Sequence, residues 1–147
     1  MNGKLIIVDG ISNSGKTTLC NSLVNEDTIL VEEVPKFIAN NLEKFGSRMS
    51  STIPKTIEEE KNNQEIFFQA ELERLRIASE IVKSGKNAVL DRSFFSTVAI
   101  AFALDKKNSF KGSFDNASKL LREYVNLLNA LFSSNDVYIV ILDVDKH

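Results

Sequence analysis

The stretch Gly10-Ile11-Ser12-Asn13-Ser14-Gly15-Lys16-Thr17-Thr18 constrains this chain more than any other. It fits the P-loop pattern G-x-x-x-x-G-K-[ST] without a mismatch. Leu5-Ile6-Ile7-Val8 before it reads as a buried strand, and Leu19, Leu23 and Val24 after it take helical spacing. Strand, loop and helix together are the setting in which this pattern cradles phosphate. Gly10 and Gly15 permit backbone angles that a Cβ would penalise. Successive N–H groups then point inward, and the helix N-terminus adds partial positive charge. Gly10, Ser12, Asn13, Ser14, Gly15, Lys16, Thr17 and Thr18 are therefore the expected nucleotide-phosphate site. In this motif Lys16 reaches the β- and γ-phosphates and Thr17 offers its hydroxyl to Mg²⁺.

The rest of the chain alternates. Thr28–Val31 reads as a second strand, Pro35 opens a helix to about Phe45, and 46–53 reads as a polar surface loop. Lys55–Ser84 is the longest helical candidate. Phe68, Leu72, Leu75, Ala78 and Val82 form its apolar stripe, and Gly85 ends it. Asn87–Leu90 is the next strand, followed by helices over Ser93–Asp105 and about Asp115–Ser133, and by a last apolar strand, Val137–Leu142. Alternating strands and helices with nearly uninterrupted apolar strands predict an α/β fold of three layers, α/β/α, around a parallel sheet of four strands. Ligands in such sheets bind beyond the carboxyl ends of the strands. Asp9 with the P-loop, Glu32-Glu33 and Asp91-Arg92 stand at those ends, so they are expected to converge on one crevice.

Composition bounds the function. A chain of 147 residues, 43% hydrophobic, suits a single domain over 1–147. Its net charge of −2 and scattered Lys and Arg give no basic field for nucleic acid. Cys20 is the only cysteine, so no internal disulfide can form, and a reducing, cytoplasmic setting is the simplest expectation. No leader or membrane-spanning stretch is expected, because the first strand starts close to Met1. His147 is the only histidine and is assigned no role.

Mg²⁺ held by a P-loop threonine usually needs a nearby acid. Asp91, directly after a strand, is the candidate, with Arg92 beside it to stabilise charge on a transferring phosphoryl group. Phosphorylation of a hydroxyl acceptor needs a carboxylate within hydrogen-bond reach. Glu32 and Glu33 end the second strand, and adjacent strand residues point to opposite faces, so only one can readily serve.

With these residues in place the chain resembles the P-loop nucleoside and nucleotide kinases, specifically the deoxynucleoside kinase and thymidylate kinase group. The P-loop, Glu32-Glu33-Val34-Pro35-Lys36-Phe37, Phe68-Gln69 and Asp91-Arg92-Ser93-Phe94-Phe95-Ser96 match in order and approximate spacing. The resemblance implies ATP and Mg²⁺ as cofactors and γ-phosphoryl transfer to a nucleoside or nucleoside monophosphate. It implies Glu32 as general base for the sugar 5′-hydroxyl, Gln69 on the base edge, Phe68 or Phe37 packed on the substrate, and Arg92 anchoring the reacting end. The chain departs from deoxynucleoside kinases in carrying Asp91 where they have Glu, and in the displacement of Pro35. Asp91-Arg92 is the form of thymidylate kinases, whose long helix bears an arginine for the acceptor's phosphate. Arg74 and Arg76 lie on that helix but off the family position. These kinases also continue past the fourth strand with an Arg-bearing lid, a further helix and often a fifth strand. The expectation is thus a truncated kinase domain, or one completed by a second copy or another subunit through the apolar edge of Tyr138, Val140 and Leu142. A regulatory ATP-binding or ATPase domain, and a kinase of another small metabolite, are the rival readings.

Overall fold

The computed structural model describes residues 2–11, 14–45, 53–107 and 110–143. Its elements follow the expected alternation: β1 (Leu5–Gly10), α1 (Lys16–Leu23), β2 (Thr28–Val31), α2 (Val34–Ala39), α3 (Leu42–Phe45), α4 (Ile57–Lys83), β3 (Asn87–Asp91), α5 (Phe94–Lys106), α6 (Ser113–Leu131) and β4 (Val137–Leu142). The four strands form one sheet in the order β2-β3-β1-β4, with every pairing parallel. Val8 lies opposite Asp91 and Gly10 opposite Leu142, so the carboxyl ends of the three strands finish side by side.

Side-chain alternation along the strands loads both faces of the sheet. Leu5, Ile7, Ala88 and Leu90 pack with Phe68, Leu75, Ala78, Phe94 and Tyr124 from α4, α5 and α6. Val8 and Val89 pack with Cys20 of α1 on the opposite face. The arrangement is the expected three-layer α/β/α P-loop fold. The long helix is capped by Thr56, whose side chain accepts from the Glu59 amide at 3.1 Å, while Glu59 reaches back to the Lys55 amide at 2.7 Å. Among the described residues β4 is an edge of the sheet, and its Tyr138, Ile139, Val140 and Ile141 are all exposed.

The helix expected from Pro35 to Phe45 is two short ones. The break falls at Asn40-Asn41. Asn41 Nδ2 donates to the Phe37 carbonyl at 2.8 Å and Asn40 Nδ2 to Glu32 at 2.7 Å. Asparagine side chains that bond locally compete with helix continuation. Most of the loop expected over 46–53 lies outside the described residues.

Candidate active site

The parallel order brings the ends of β1 and β3 together, and the P-loop sits over both. Gly15 precedes α1 with a left-handed φ of 89° and nothing within contact of a Cβ built on it, so the loop wall stays bare where a ligand would lie. Gly10 has a φ of 149°, and a Cβ there would stand 2.5 Å from the Leu142 carbonyl oxygen of β4. Close approach of two backbones thus requires glycine at this position.

Lys16 is only 5% exposed. Its ammonium donates to the Ile11 carbonyl and, at 3.3 Å, to Ser14 Oγ. Burial, and then repulsion from the Arg92 guanidinium, hold its pKa below the ordinary lysine value. Thr17 is exposed, and its Oγ1 donates to Asp91 Oδ2 at 3.3 Å. The other oxygen of Asp91, Oδ1, is buried and has no hydrogen-bond partner among the described residues. Thr18 lies exposed on α1, while Ser12 and Asn13 lie outside the described residues.

Asp9 closes the floor. It accepts hydrogen bonds from the hydroxyls of Ser93 and Ser96. Ser93 Oγ in turn caps α5 by accepting from the Phe95 amide at 3.2 Å. Both serines of Asp91-Arg92-Ser93-Phe94-Phe95-Ser96 therefore tie the start of α5 to the end of β1. Arg92, directly before Ser93, adopts a φ of 65°, rare for a residue with a Cβ. Its amide donates to the Val8 carbonyl at 2.9 Å. Its Nε lies 3.7 Å from Glu33 Oε2, with both side chains near three-tenths exposed.

Arg92 stands between two cavities. One of about 560 Å³ is lined by Asp9, Gly10, Ile11, Leu142 and the α5 residues Phe95, Ser96 and Ala99. The other, of about 220 Å³, is lined by Glu33, Phe67, Glu71, Ser93 and Thr97. A third, of about 280 Å³, shares Phe67, Thr97 and Ile100 with it and adds Glu60, Asn63 and Gln64. Arg92, Ser96 and Ile100 line both the first and the second, so the three cavities lie side by side past the strand ends.

The acceptor side differs from the sequence-based expectation in four residues. Glu32 points away: it is exposed and receives the amide of Asn40. Glu33 faces the cavity instead, because adjacent residues of an extended segment point to opposite sides. Phe68 is 2% exposed and packs edge-on against Phe94 at 5.7 Å between centroids, inside the core. Phe37 is buried with Phe45 and Ile66 in a second cluster under α2. Gln69 is half-buried beside Glu65. None of Phe37, Phe68 and Gln69 lines any of the three cavities. Phe67 lines two of them. One residue along a helix turns about 100°, enough to exchange cavity for core.

The sequence places Arg74 on the long helix without showing its burial or its partners. It is fully buried on α4, and its Nη1 donates to both oxygens of Glu71 at 2.8 Å. Burial drives the Glu71 carboxyl up, to about 7, against the pull of Arg74. A signal was present: Arg74 falls three residues after Glu71 and beside Leu75, on the apolar side of the helix.

No family model matches the chain. Among curated proteins it is similar to the thymidylate kinase of Danio rerio, at 31% identity over 104 residues, covering 69% of this chain and 49% of that protein. It is also similar to the thymidylate kinase of Buchnera aphidicola, at 26% identity over 144 residues, covering 92% of this chain and 60% of the relative. The thymidylate kinase structure from Ehrlichia chaffeensis superposes with a TM-score of 0.59 at 18% identity, covering 99% of this chain and 78% of that one. The structural likeness shows the fold. The chain spans about half the length of the curated relatives it matches, 49% and 60% of them. Within the described residues no helix is long and apolar enough to cross a membrane.

Proposed function

From a chain with the P-loop kinase fold and thymidylate kinases as relatives, we propose ATP-dependent transfer of the γ-phosphoryl group to a nucleoside monophosphate, of the thymidylate class. The observation that carries this reading is the position of Arg92, which lines both the cavity beside Asp9, Gly10 and Ile11 and the cavity of Glu33 and Phe67. A guanidinium there can meet the acceptor's phosphate through paired N–H groups and share charge with the transferring group. A nucleoside acceptor would need a base to take its proton. A monophosphate is already ionised, so Glu33 serves by orienting Arg92.

The donor side rests on the P-loop. Backbone N–H groups from Gly10 to Thr18 would receive the ATP phosphates, with Lys16 leaving the Ile11 carbonyl to reach them. Thr17 Oγ1 and Asp91 fit a magnesium ion that arrives with the nucleotide: the pair is already 3.3 Å apart, and Asp91 Oδ1 has spare acceptor capacity. Such an ion typically keeps several waters and uses few protein oxygens. When bound it neutralises charge on the phosphates. Phe67 and Thr97 would flank the acceptor's base and sugar in the joined smaller cavities.

The test is ADP release with ATP and Mg²⁺ against a panel of nucleoside monophosphates and their nucleosides. Turnover that depends on thymidylate, at about 1–100 s⁻¹ as for other kinases, is the expected result. ATP turnover indifferent to every acceptor would favour an ATPase or regulatory domain and overturn the reading. Turnover on nucleosides alone would move the acceptor class and give Glu33, in place of Glu32, the role of base.

A further inference from the structure

We propose that Arg74 is a positioning residue for phosphoryl transfer, pinning the carbonyls of Val31, Asp91 and Arg92 and thereby fixing where Asp91 and Arg92 meet the P-loop. Arg74 touches neither cavity that would hold the nucleotides. Its Nη2 donates to the Asp91 carbonyl at 2.8 Å and to the Val31 carbonyl at 3.4 Å, and its Nη1 to the Arg92 carbonyl at 3.3 Å. Val31 ends β2, two residues before Glu33. Asp91 ends β3, and Arg92 follows it. One side chain on α4 thus holds the two strand ends that carry the acidic and basic groups of the crevice.

The chemistry of the pair suits this task better than it suits stability. A buried ion pair usually gains little over apolar residues of the same volume, because desolvation cancels the attraction. Glu71, 1% exposed, offsets the Arg74 charge and fixes the guanidinium plane from one side. The carbonyls occupy the other side. Lysine cannot reproduce this, since a single ammonium cannot span three acceptors held in a fixed fan. The pinned residues include the one non-glycine residue with positive φ among those described, Arg92 at 65°. Such a conformation persists where its surroundings over-determine it. The Arg92 amide, bonded to the Val8 carbonyl at 2.9 Å, ties the same segment to β1 from the other side.

The inference rests on the kinase reading for its activity readout, so a second readout is independent of activity. Arg74→Lys keeps the charge opposite Glu71 but drops most carbonyl contacts. Glu71→Leu with Arg74→Met removes both charges and leaves a similar volume. In both, amide hydrogen exchange over 91–93 should quicken, while that of β1 and α1 stays as in the parent. With thymidylate as acceptor, kcat should fall by about 10- to 100-fold, as for misplaced reacting groups, while the KM for ATP stays within about twofold. The double variant should melt within a few degrees of the parent. If the parent transfers no phosphate, the kinase reading fails and the exchange measurement alone judges the proposal. Folded variants with parental exchange over 91–93, or with parental kcat in a working kinase, would overturn it. Loss of the fold in both variants would make Arg74 part of the core alone and overturn it equally.

Discussion

The carboxylate beside Arg92 separates two chemistries, and Glu33→Gln tests which one operates. The substitution keeps the side chain's shape, still lets it accept a hydrogen bond from Arg92, and removes its charge and proton affinity. If Glu33 only orients Arg92, the loss is that of one ion pair. Nε and Oε2 are 3.7 Å apart, and the side chains are 28% and 31% exposed. A pair that open to solvent contributes about 0.2–1 kcal/mol, or about 1.5- to 5-fold in an equilibrium. Arg92 would then meet the acceptor's phosphate less well oriented, so the acceptor KM should rise by no more than about that factor and kcat should stay within about fivefold. If Glu33 instead takes a hydroxyl proton, kcat should fall by about 10²–10⁴-fold. The two ranges do not overlap. Steady-state ADP release at saturating ATP, with thymidylate varied, reads both constants. Glu32→Gln is the control: it loses only an exposed contact with Asn40 and should match the parent. A Glu33→Gln enzyme with a hundredfold lower kcat would refute the orienting role and with it the monophosphate assignment.

Lys16→Ala should abolish turnover while the melting temperature moves little, since Lys16 bonds the loop rather than the core; undiminished ATP turnover would remove the phosphate site from this loop. Affinity for an ATP analogue should weaken as pH rises, starting below the ordinary lysine range, because the lowered pKa of Lys16 means its positive charge is lost earlier. Titration by fluorescence across that range checks this, and Lys16→Arg should flatten the profile. Asp91→Asn should raise the Mg²⁺ concentration needed for half-maximal rate, with the fold unchanged; equal Mg²⁺ curves would take Asp91 out of the metal's reach. Cys20 is fully buried and its thiol is pushed up to about 11, so thiol reagents at neutral pH should modify it only after denaturation.

Why some of the site was legible and some was not follows from how far each feature reaches along the chain. The P-loop is local: its glycines, lysine and threonines need only their immediate neighbours, so both its identity and its strand–loop–helix setting were readable. The extents of β2 and β4 were read correctly for the same reason, since each is a run of apolar residues ended by polar ones. Phase is harder. Whether Glu32 or Glu33 faces inward depends on how the chain turns out of β2 into α2, and a shift of one residue reverses the answer. On the long α4 the same kind of shift exchanged Phe67 for Phe68, because the apolar stripe is wide enough to hold both. The burial of Arg74 was hidden by its chemistry, since an arginine on a helix is expected outside.

The convergence of the site lies beyond any local reading. Asp91 meets Thr17 only because β3 pairs with β1, with Val8 opposite Asp91, across 74 residues of sequence. A β2-β1-β3 order would be equally compatible with the strand pattern and would place β1 between the other two. In the observed order β3 is the strand between β1 and β2. Its carboxyl end therefore has the P-loop on one side and Glu33 on the other, and Arg92 inherits that central position. In the proposed reaction, the residue that would touch both donor and acceptor phosphates thus stands where the sheet order, rather than any motif, puts it. Asp9 and Arg74 then hold that junction from below, the first through Ser93 and Ser96 and the second through the carbonyls of Asp91 and Arg92. Asp-Arg-Ser is weak evidence as a string because its meaning depends on these distant partners.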